Sequence, residues 1–539
     1  MRKHRTSFKV CLFQKTGFAL LSGPVFFGNP RTSDAFALML ESWEAFFLCI
    51  LEGFPVATAT QSDAKKAPTA LTHSLAARFA DYVLNTPYEA IAPEAIAEAK
   101  RRLMDSLGCA MGAMNSKPAT VARTLALTAG MTAPNHGATV IGTPHRSTPD
   151  WAAFANGVLF RYLDFNDTYL SKEPAHPSDN IAAILAVAQV VNAPWREVWR
   201  AIVIAYEIQC RLCDAYSIRA QGWDHVTYGS FSAVLGCGAL LGLSREQLIH
   251  AQGIAATGHN AMRQTRVGEL SHWKGCAFAN TSRNAVFSAL LARGGMTGPA
   301  PIFEGEMGFF KQVAHSDFEV PTMAGEPGNT DGWMILKTYV KHYPAEYHAQ
   351  SAIEAALVLR EKLYGELNAT WQDIQSVHID SFDAAIEIIA SFAEHWRPEN
   401  RETADHSMPY MVAAALVDGD VTLETFTHER IHDPVLIEFL QTVTAARHPE
   451  MNAGYPDGIP NRLTLTLKNG QTVSHEIKYP LGHAKNLMTD ADIQAKFTPL
   501  AARVMDAPAI AAVVSAMQSL DDAAPVDALL GLFSAVAKV

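Results

Sequence analysis

A long apolar run between residues 179 and 192 constrains the fold most strongly. Nearly every side chain from Asp179 to Asn192 is aliphatic. A helix that is apolar on all sides must be buried by other elements. The run is also shorter than the roughly 18 to 20 residues that a membrane-spanning helix needs. We therefore predict a buried helix here, followed by a second one from Trp195 to Cys213, inside a large helical assembly.

Helical spacing continues on both sides of this run. Leu75, Phe79, Tyr82 and Val83 follow one another at intervals that place them on one helix face. Other helix starts are marked by Pro93, and by Ser244 with Gln247 in a capping-box pattern. The strand-helix-strand alternation of a parallel sheet is absent from the sequence between residues 70 and 300. That part is predicted to be mostly α-helical.

A change of pattern after residue 320 predicts a second domain. Glycines and prolines between residues 323 and 333 suggest a linker. Residues 374 to 379 alternate as in a strand, and residues 462 to 477 have the pattern of a hairpin around Asn469-Gly470. Because helical patterns return after His483, we predict a fold that is mainly α with a smaller α+β domain. The predicted parts are a large helical bundle domain over 69–320, completed by 485–539, and a smaller lid domain over 321–484.

The first 68 residues differ from the rest of the chain. They begin with a basic segment and continue with apolar stretches broken by Gly23 and Pro24 and by acidic residues such as Glu44. These interruptions are wrong for a signal or transit peptide. We predict an N-terminal extension over 1–68 that is loosely ordered and that the catalytic body does not need.

Composition narrows the class of protein. With 539 residues, 49% of them apolar and 18% charged, the chain is globular rather than disordered. A net charge of −11 without a basic stripe argues against nucleic acid as a partner. Seven cysteines are few and odd in number, which favours a reducing compartment over a disulfide framework. We expect a soluble cytoplasmic protein without a membrane partner.

Polar residues are densest in two neighbouring loops. Residues 163–169 and 176–180 bring acids, a histidine and a proline between two apolar helices, and loops held by rigid elements are where function concentrates. Capping and turn formation would account for single residues of this set but not for all of them. Metal binding is disfavoured because Asp164, Asp167 and His176 match no defined metal-ligand spacing.

Further polar clusters follow along the chain. Cys210 and Cys213 form a Cys-x-x-Cys pair, but inside an apolar helix, so they are interpreted as packing thiols. Histidine, lysine, arginine and tyrosine recur in short stretches near small residues, and such a set suits a pocket for a small polyanion. These stretches are 222–225, 263–266, 272–274, 343–348 and 405–407.

Seven strings in one collinear order make the sequence similar to a known family. They are DFNDTY, AHPSDNIAAILA, WDHVTYGSFSAVLG, LLGLSREQLIHAQGIA, HWKGCAFANTSRNA, YPAEYHAQSAIEAAL and ADHSMPYMVAAAL. These strings resemble the MmgE/PrpD family, and in particular its 2-methylcitrate dehydratases. The resemblance runs from about residue 70 to 500. It is less specific for the substrate, because the family also contains cis-aconitate decarboxylase.

The resemblance implies a homodimer of two-domain subunits, with the active site between the domains and no cofactor or metal. It implies a hydro-lyase of propionate catabolism that converts 2-methylcitrate to 2-methyl-cis-aconitate in the methylcitrate cycle. The catalytic residues that we carry over are His176, Asp164, Lys274 and His225, and those for substrate binding are Thr168, Tyr343 and His348. Arg266 is added to the substrate-binding set as a further cation.

Dehydration of 2-methylcitrate requires fixed cations and groups that transfer protons. Proton removal beside an ionised carboxylate is assisted by cations, for which Lys274 and Arg266 are chosen. His176, with Asp164 as its orienting carboxylate, is the first choice for the base or the acid, and His225 is the second.

Several alternatives stay open. Pro174-Ala175 stands where methylcitrate dehydratases usually carry Trp-Gly, so the wall that contacts the substrate methyl group is expected to differ. Decarboxylation of cis-aconitate to itaconate and dehydration of another tricarboxylate such as citrate remain possible. A tricarboxylate-binding protein without catalysis is the non-enzymatic alternative. An iron–sulfur dehydratase and a magnesium-dependent synthase of the terpene type fit the composition less well.

Overall fold

The structure is a computed structural model that describes residues 69–534 except 131, 133–136 and 269. The predicted extension over 1–68, with Cys11 and Cys49, lies outside the described residues. The described residues belong to one compact unit by their internal contacts. Among the described residues, no helix is long and apolar enough to cross a membrane.

Helices make up most of the N-terminal half. The predicted buried helix is confirmed at Ile181–Val190, where all but the last residue are buried, and the second one at Trp195–Ala215. The capping box of Ser244 and Gln247 is confirmed as well. The helices of this half are Thr69–Thr72, Leu75–Asn85, Pro93–Ala113, Lys117–Gly130, Pro149–Arg161, Ile181–Val190, Trp195–Ala215, Gly229–Leu241, Arg245–Gly258 and Ala277–Arg293.

Two of these helices pack closely enough to exclude side chains. Gly157, on Pro149–Arg161, faces Ala279 on Ala277–Arg293, and a Cβ atom on Gly157 would lie 3.0 Å from the Ala279 Cα. Gly275 makes a similar approach to Tyr162. These two approaches bring the end of the first helix next to the start of the second.

The segment from 315 to 346 is irregular. Gly325, Gly328 and Gly332 adopt positive φ angles, which glycine tolerates without strain. Glu207, on helix Trp195–Ala215, accepts hydrogen bonds from the main-chain N–H groups of Ala324 and Met334. This segment is therefore fastened to the helical half.

A small sheet follows. Its four strands lie in the order Val443–Arg447, Ile374–Ser381, Asn461–Leu467 and Thr472–Ile477. The first pair is parallel and the other two pairs are antiparallel, so the predicted strand and hairpin are confirmed. Helix Gln350–Gly365 packs against the last two strands.

The remaining helices surround this sheet or return to the helical half. They are Asp383–Ile389, Arg401–Ala404, Met408–Asp418, His428–Ile431, Pro434–Leu440, Pro449–Gly454, Asp490–Ala501, Ala507–Gln518 and Asp527–Leu530. The fold is thus mainly α with a smaller α+β part, as predicted. A short two-stranded ladder, Ala138–Thr139 with Arg146–Ser147, lies in the helical half.

Among the described residues, two large hydrophobic cores are present beside a small third cluster of Val226, Ala277 and Phe278. The larger one is built from the helical half together with residues from the C-terminal helices, and the smaller one from residues between Tyr339 and Val473. The boundaries of the predicted domains, at 320 and 484, stay a prediction.

Candidate active site

Asp164 lies at the centre of a buried cluster of cations. It follows helix Pro149–Arg161 and adopts φ +53°, a left-handed conformation that aspartate tolerates better than most residues. Its Oδ1 atom lies 2.5 Å from Arg161 Nη1 and 2.9 Å from Lys341 Nζ, and its Oδ2 atom lies 3.0 Å from Lys274 Nζ. Lys341 Nζ also donates to the Asp164 carbonyl, at 2.7 Å.

The charges of this cluster set the ionisation of the carboxylate. Burial raises the pKa of Asp164, but Arg161, Lys274 and Lys341 outweigh burial and hold this pKa well below its ordinary value. Burial lowers the pKa of Lys341, although Asp164 opposes that shift. The carboxylate is therefore ionised at neutral pH and partly neutralises three cations.

Lys274 joins this cluster to a His–Asp pair from the second half of the chain. It belongs to the short helix His272–Gly275, and its Nζ atom lies 3.1 Å from His406 Nε2. His406 Nδ1 lies 2.5 Å from Asp405 Oδ1. Burial raises the pKa of Asp405, but Lys274 and His406 lower it by more, so the pKa of Asp405 is below its ordinary value.

Two histidines, His176 and His225, lie beside the cations. The rings of His176 and His225 have centroids 5.6 Å apart. His225 Nδ1 lies 3.2 Å from Asp224 Oδ1, and Arg266 donates to the other oxygen of Asp224 at 2.7 Å. Arg266 Nη2 is 3.5 Å from His225 Nε2. The predicted residues His176, His225 and Arg266 are thus brought together.

The orientation of His176 differs from the prediction. Its Nδ1 atom lies 2.7 Å from the main-chain carbonyl of Asp167, so this carbonyl, and not the Asp164 carboxylate, orients the ring. Asp167 is itself held by the Ser178 N–H and by the Tyr206 hydroxyl. Sequence reasoning paired the two residues by proximity along the chain, whereas Asp164 is engaged by cations that come from elsewhere.

Both histidines are neutral at neutral pH. Burial lowers the pKa of His176 well below its ordinary value, and Arg161 adds to this shift. Burial also lowers the pKa of His225, to about 3; Arg266 adds to the shift and Asp224 opposes it. Neutral imidazoles can accept protons, which is the state that a general base needs.

Three predicted binding residues are occupied by other contacts. Thr168 Oγ1 donates to the Ala175 carbonyl, and this bond closes the loop that precedes His176. The Thr168 main chain pairs with that of Tyr339. Tyr343 lines a separate cavity of about 350 Å³. His348 Nδ1 lies 2.8 Å from Glu346 Oε1. Their assignment to substrate binding stays a prediction.

Four charged or polar residues of the cluster were not among the predicted site residues. Arg161 and Lys341 have no local sequence signal, because one ends a helix and the other lies in an irregular segment. Asp405 and His406 fall in a stretch that the sequence marks as polar, but only the fold places them against Lys274. The polar stretch 405–407 marks Asp405 and His406 in the sequence, but it does not specify their contact with Lys274.

A narrow pocket borders the cluster. It is lined by residues that include Asp164, Lys274, Arg401 and Asp405, and its volume is about 10 Å³, on the scale of a single water molecule. Beside it, Arg401 Nη2 donates to the Leu163 carbonyl and the Tyr162 hydroxyl donates to Glu402, each at 3.3 Å. The pocket is thus lined by side chains from both halves of the chain.

The thiols and the possible metal ligands were also located. Cys210 and Cys213 are buried in their helix, and burial raises the pKa of both well above the ordinary value, which confirms them as packing thiols. Within the described ranges, no group of three or more His, Cys, Asp or Glu side chains is arranged to hold a metal ion.

Comparison with known proteins identifies the family. The MmgE/PrpD N-terminal domain matches residues 77–321, and the MmgE/PrpD C-terminal domain matches residues 343–521. The chain belongs to the MmgE/PrpD family. This membership accounts for the helical half and the α+β part in their observed order.

Relatives in the MmgE/PrpD family share about a third of their residues with the chain. The 2-methylcitrate dehydratase of Cupriavidus necator is 32% identical over 430 residues, which cover 75% of this chain and 85% of the relative. The mitochondrial 2-methylcitrate dehydratase of Yarrowia lipolytica is 31% identical over 422 residues, 75% of this chain and 79% of the relative. An alkylcitrate dehydratase of a fungal species is 32% identical over 428 residues, 74% of this chain and 82% of the relative.

Proposed function

We propose that this MmgE/PrpD protein is a lyase that dehydrates 2-methylcitrate to 2-methyl-cis-aconitate, a step of the methylcitrate cycle in propionate catabolism. The observation that carries the proposal is the buried cluster of Arg161, Lys274 and Lys341 around one carboxylate, beside two neutral histidines. Relatives that are named 2-methylcitrate dehydratases support the same substrate.

The cations act on the charge that develops during the reaction. Removal of the proton from the methyl-bearing carbon, which is α to a carboxylate, adds enolate-like charge to a group that is already ionised. Fixed ammonium and guanidinium groups in a buried site stabilise such charge without reorganising. Lys274, Lys341 and Arg161 supply these groups around Asp164, and Arg266 supplies another beside His225.

Protons move through the histidines. His176 and His225 are neutral and can accept the α-proton, and the Asp224 carboxylate stabilises the imidazolium that forms on His225. The hydroxyl that departs from the neighbouring carbon needs a proton donor. We assign this role to the Lys274 ammonium group, which contacts His406 Nε2, while His406 is held by Asp405. These steps use only side chains, so the proposed mechanism needs no metal or cofactor.

A citrate with a longer alkyl substituent is the second candidate substrate. An alkylcitrate dehydratase is among the relatives. In addition, Pro174 stands where methylcitrate dehydratases usually carry the tryptophan of a Trp-Gly pair, and proline is the smaller of these two side chains. The cis-aconitate decarboxylase and citrate dehydratase alternatives are separated from both by the same assay.

The assay uses purified protein with 2-methylcitrate, a longer 2-alkylcitrate, citrate and cis-aconitate in separate reactions. Absorbance of the unsaturated product and release of CO₂ are both followed. We expect the unsaturated product from 2-methylcitrate, without CO₂ and with unchanged rates after treatment with a chelator. CO₂ from cis-aconitate without turnover of any citrate would instead establish the decarboxylase, and saturable binding without turnover would establish a binding protein.

The homodimer and the cytoplasmic location belong to the same proposal. Both follow from the family resemblance and the composition. The mitochondrial relative shows that the family is not confined to one compartment.

A further inference from the structure

A buried lysine from the C-terminal part of the chain contacts the candidate site from behind. Lys496 lies on helix Asp490–Ala501 and is 8% exposed. Its Nζ atom donates to the main-chain carbonyl of Phe165 at 2.6 Å and to that of Lys341 at 2.8 Å. The third neighbour of Nζ is Asp105 Oδ1, at 2.5 Å, from helix Pro93–Ala113.

The two carbonyls belong to the two main-chain segments that carry the Asp164–Lys341 ion pair, one on each side. Phe165 follows Asp164 directly in the chain, and Lys341 is the residue whose ammonium group lies 2.9 Å from Asp164 Oδ1. One nitrogen atom therefore holds the backbones of the carboxylate and of its cation at the same time. The Phe165 ring, whose centroid is 3.8 Å from Nζ, fixes the lysine from another side.

A cation at this position can be buried only because its partners surround it. An unpaired buried charge is strongly destabilising. Asp105 supplies the opposite charge, and two carbonyls and an aromatic ring complete the surroundings. A charged hydrogen-bond donor also holds a carbonyl more strongly than a neutral one does. The contact is thus suited to fixing the position of main-chain atoms.

We infer that Lys496 is a positioning residue for catalysis, since it sets the distance between the Asp164 carboxylate and the Lys341 ammonium group. This inference rests on the proposed function, in which that pair borders the reacting substrate. Lys496 lies behind the two main-chain segments and acts through them.

The test replaces Lys496 with residues of similar size. Lys496→Met keeps the aliphatic volume and removes all donors, and we expect kcat on 2-methylcitrate to fall by about 10²-fold, the scale of a displacement of about 1 Å at a catalytic group. KM should change much less, since the bulk of the substrate contacts remain. Lys496→Arg restores a charged donor and should recover most of kcat. Lys496→Gln retains one neutral donor, and a fall of about 10-fold is expected, so this variant decides the question if the methionine variant does not fold.

A crystal structure of the variant protein supplies a readout that is independent of activity. The distance from Lys341 Nζ to Asp164 Oδ1 should exceed about 3.5 Å in Lys496→Met or Lys496→Gln, beyond hydrogen-bond range. Arg123→Met is the matched control, because it removes another buried cation that donates to a carbonyl, that of Met114. This control should lower the melting temperature and leave kcat and the ion-pair distance unchanged.

The outcomes separate the two proposals. Loss of kcat with a longer ion-pair distance and recovery by arginine supports the positioning role. An unchanged distance in a folded variant overturns it, as does a methionine variant with the kcat of the wild-type protein. Wild-type protein that turns over none of the tricarboxylates removes the proposed function, and the distance then decides the inference alone.

Discussion

Asp164 illustrates how one buried carboxylate organises a site made of cations. Three positive groups come from three separate parts of the chain, and each lies within 3.0 Å of its oxygens. Without the carboxylate these cations would repel one another in a buried environment. Asp164 therefore serves to assemble the cations.

Removal of the Lys274 ammonium group tests the role of the cations. For Lys274→Met we expect kcat on 2-methylcitrate to fall by about 10²-fold or more, because stabilisation of developing negative charge is lost. Steady-state kinetics with the unsaturated product as readout measures the effect. Lys311→Met, at an exposed lysine outside the site, should keep the wild-type rate. A Lys274→Met protein with near-normal kcat would remove this residue from the mechanism.

Acid sensitivity of the fold tests the buried state of His225. Its folded pKa is about 3, whereas the unfolded value is about 6.5. The unfolded chain thus binds more protons between these values, and the free energy of unfolding falls as the pH drops from about 6.5 towards 3. For His225→Asn, urea denaturation across this range should show a slope lower by up to about 1.4 kcal/mol per pH unit. His145→Asn, at an exposed histidine, is the control for loss of an imidazole, and equal slopes for His225→Asn and the wild type would refute the prediction.

For single residues, the sequence predicts which side chains belong to the candidate site more readily than it predicts their hydrogen-bond partners. Asp164, Lys274, His176, His225 and Arg266 were predicted and lie in one cluster. Their partners were not predicted correctly, because the carbonyl that orients His176 and the positive φ of Asp164 depend on how distant segments pack. Local patterns carry no information about such contacts.

At the scale of elements, helix packing brings the candidate catalytic groups together. Helix Pro149–Arg161 ends with Arg161 and is followed by Asp164, and Lys274 lies three residues before the start of helix Ala277–Arg293. The close approach at Gly157 sets the separation between the two helices. The positions of the ion-pairing groups thus depend on a residue without a side chain.

A larger residue at Gly157 should disturb both the fold and the site. Gly157→Val places methyl groups where the Ala279 backbone already stands at 3.0 Å from a Cβ position, and overpacking of this kind costs about 1 to 3 kcal/mol. We expect a lower melting temperature together with a lower kcat. Gly258→Val, at a helical glycine with open space around it, is the matched control and should change both quantities little. A valine at Gly157 that is tolerated without effect would show that the helices separate freely.

Elements with strong periodicity were predicted well. The buried helix after Asn180, the capped helix after Ser244 and the hairpin around Gly470 form where the patterns place them. The irregular segment between 315 and 346, which supplies Lys341, follows no periodicity. Its course is set by glycines with positive φ and by main-chain bonds to Glu207, and neither can be recognised from spacing.

For the whole molecule, an exposed apolar patch is the surface at which we expect the proposed homodimer to form. Met262, Val267 and Trp273 are 67%, 50% and 47% exposed and lie at two short helices, Arg263–Arg266 and His272–Gly275, that contact each other. Apolar surface that is clustered marks interaction sites more often than scattered residues do. The same two short helices carry Arg266 and Lys274, so such an interface would adjoin the candidate site.

We expect the chain to sediment at twice its mass of 58.5 kDa. Met262→Glu places a charge in the patch and should shift the sedimenting species to 58.5 kDa, because a buried unpaired charge opposes association. Met307→Glu, at a methionine that is 75% exposed elsewhere, is the control and should remain dimeric. Analytical ultracentrifugation measures both variants, and a dimer that persists in Met262→Glu would assign the interface to another surface.

The pocket between the two halves has a kinetic consequence. Arg401 and Tyr162 bridge the two halves beside it, so a tricarboxylate that enters between the halves has to part these contacts. Loop and domain openings of this kind take microseconds to milliseconds and often limit turnover through product release. Each catalytic cycle then includes two passages through a gate, one inward and one outward. Viscous solvents that slow such motions would slow turnover, even though the chemical step itself is indifferent to them.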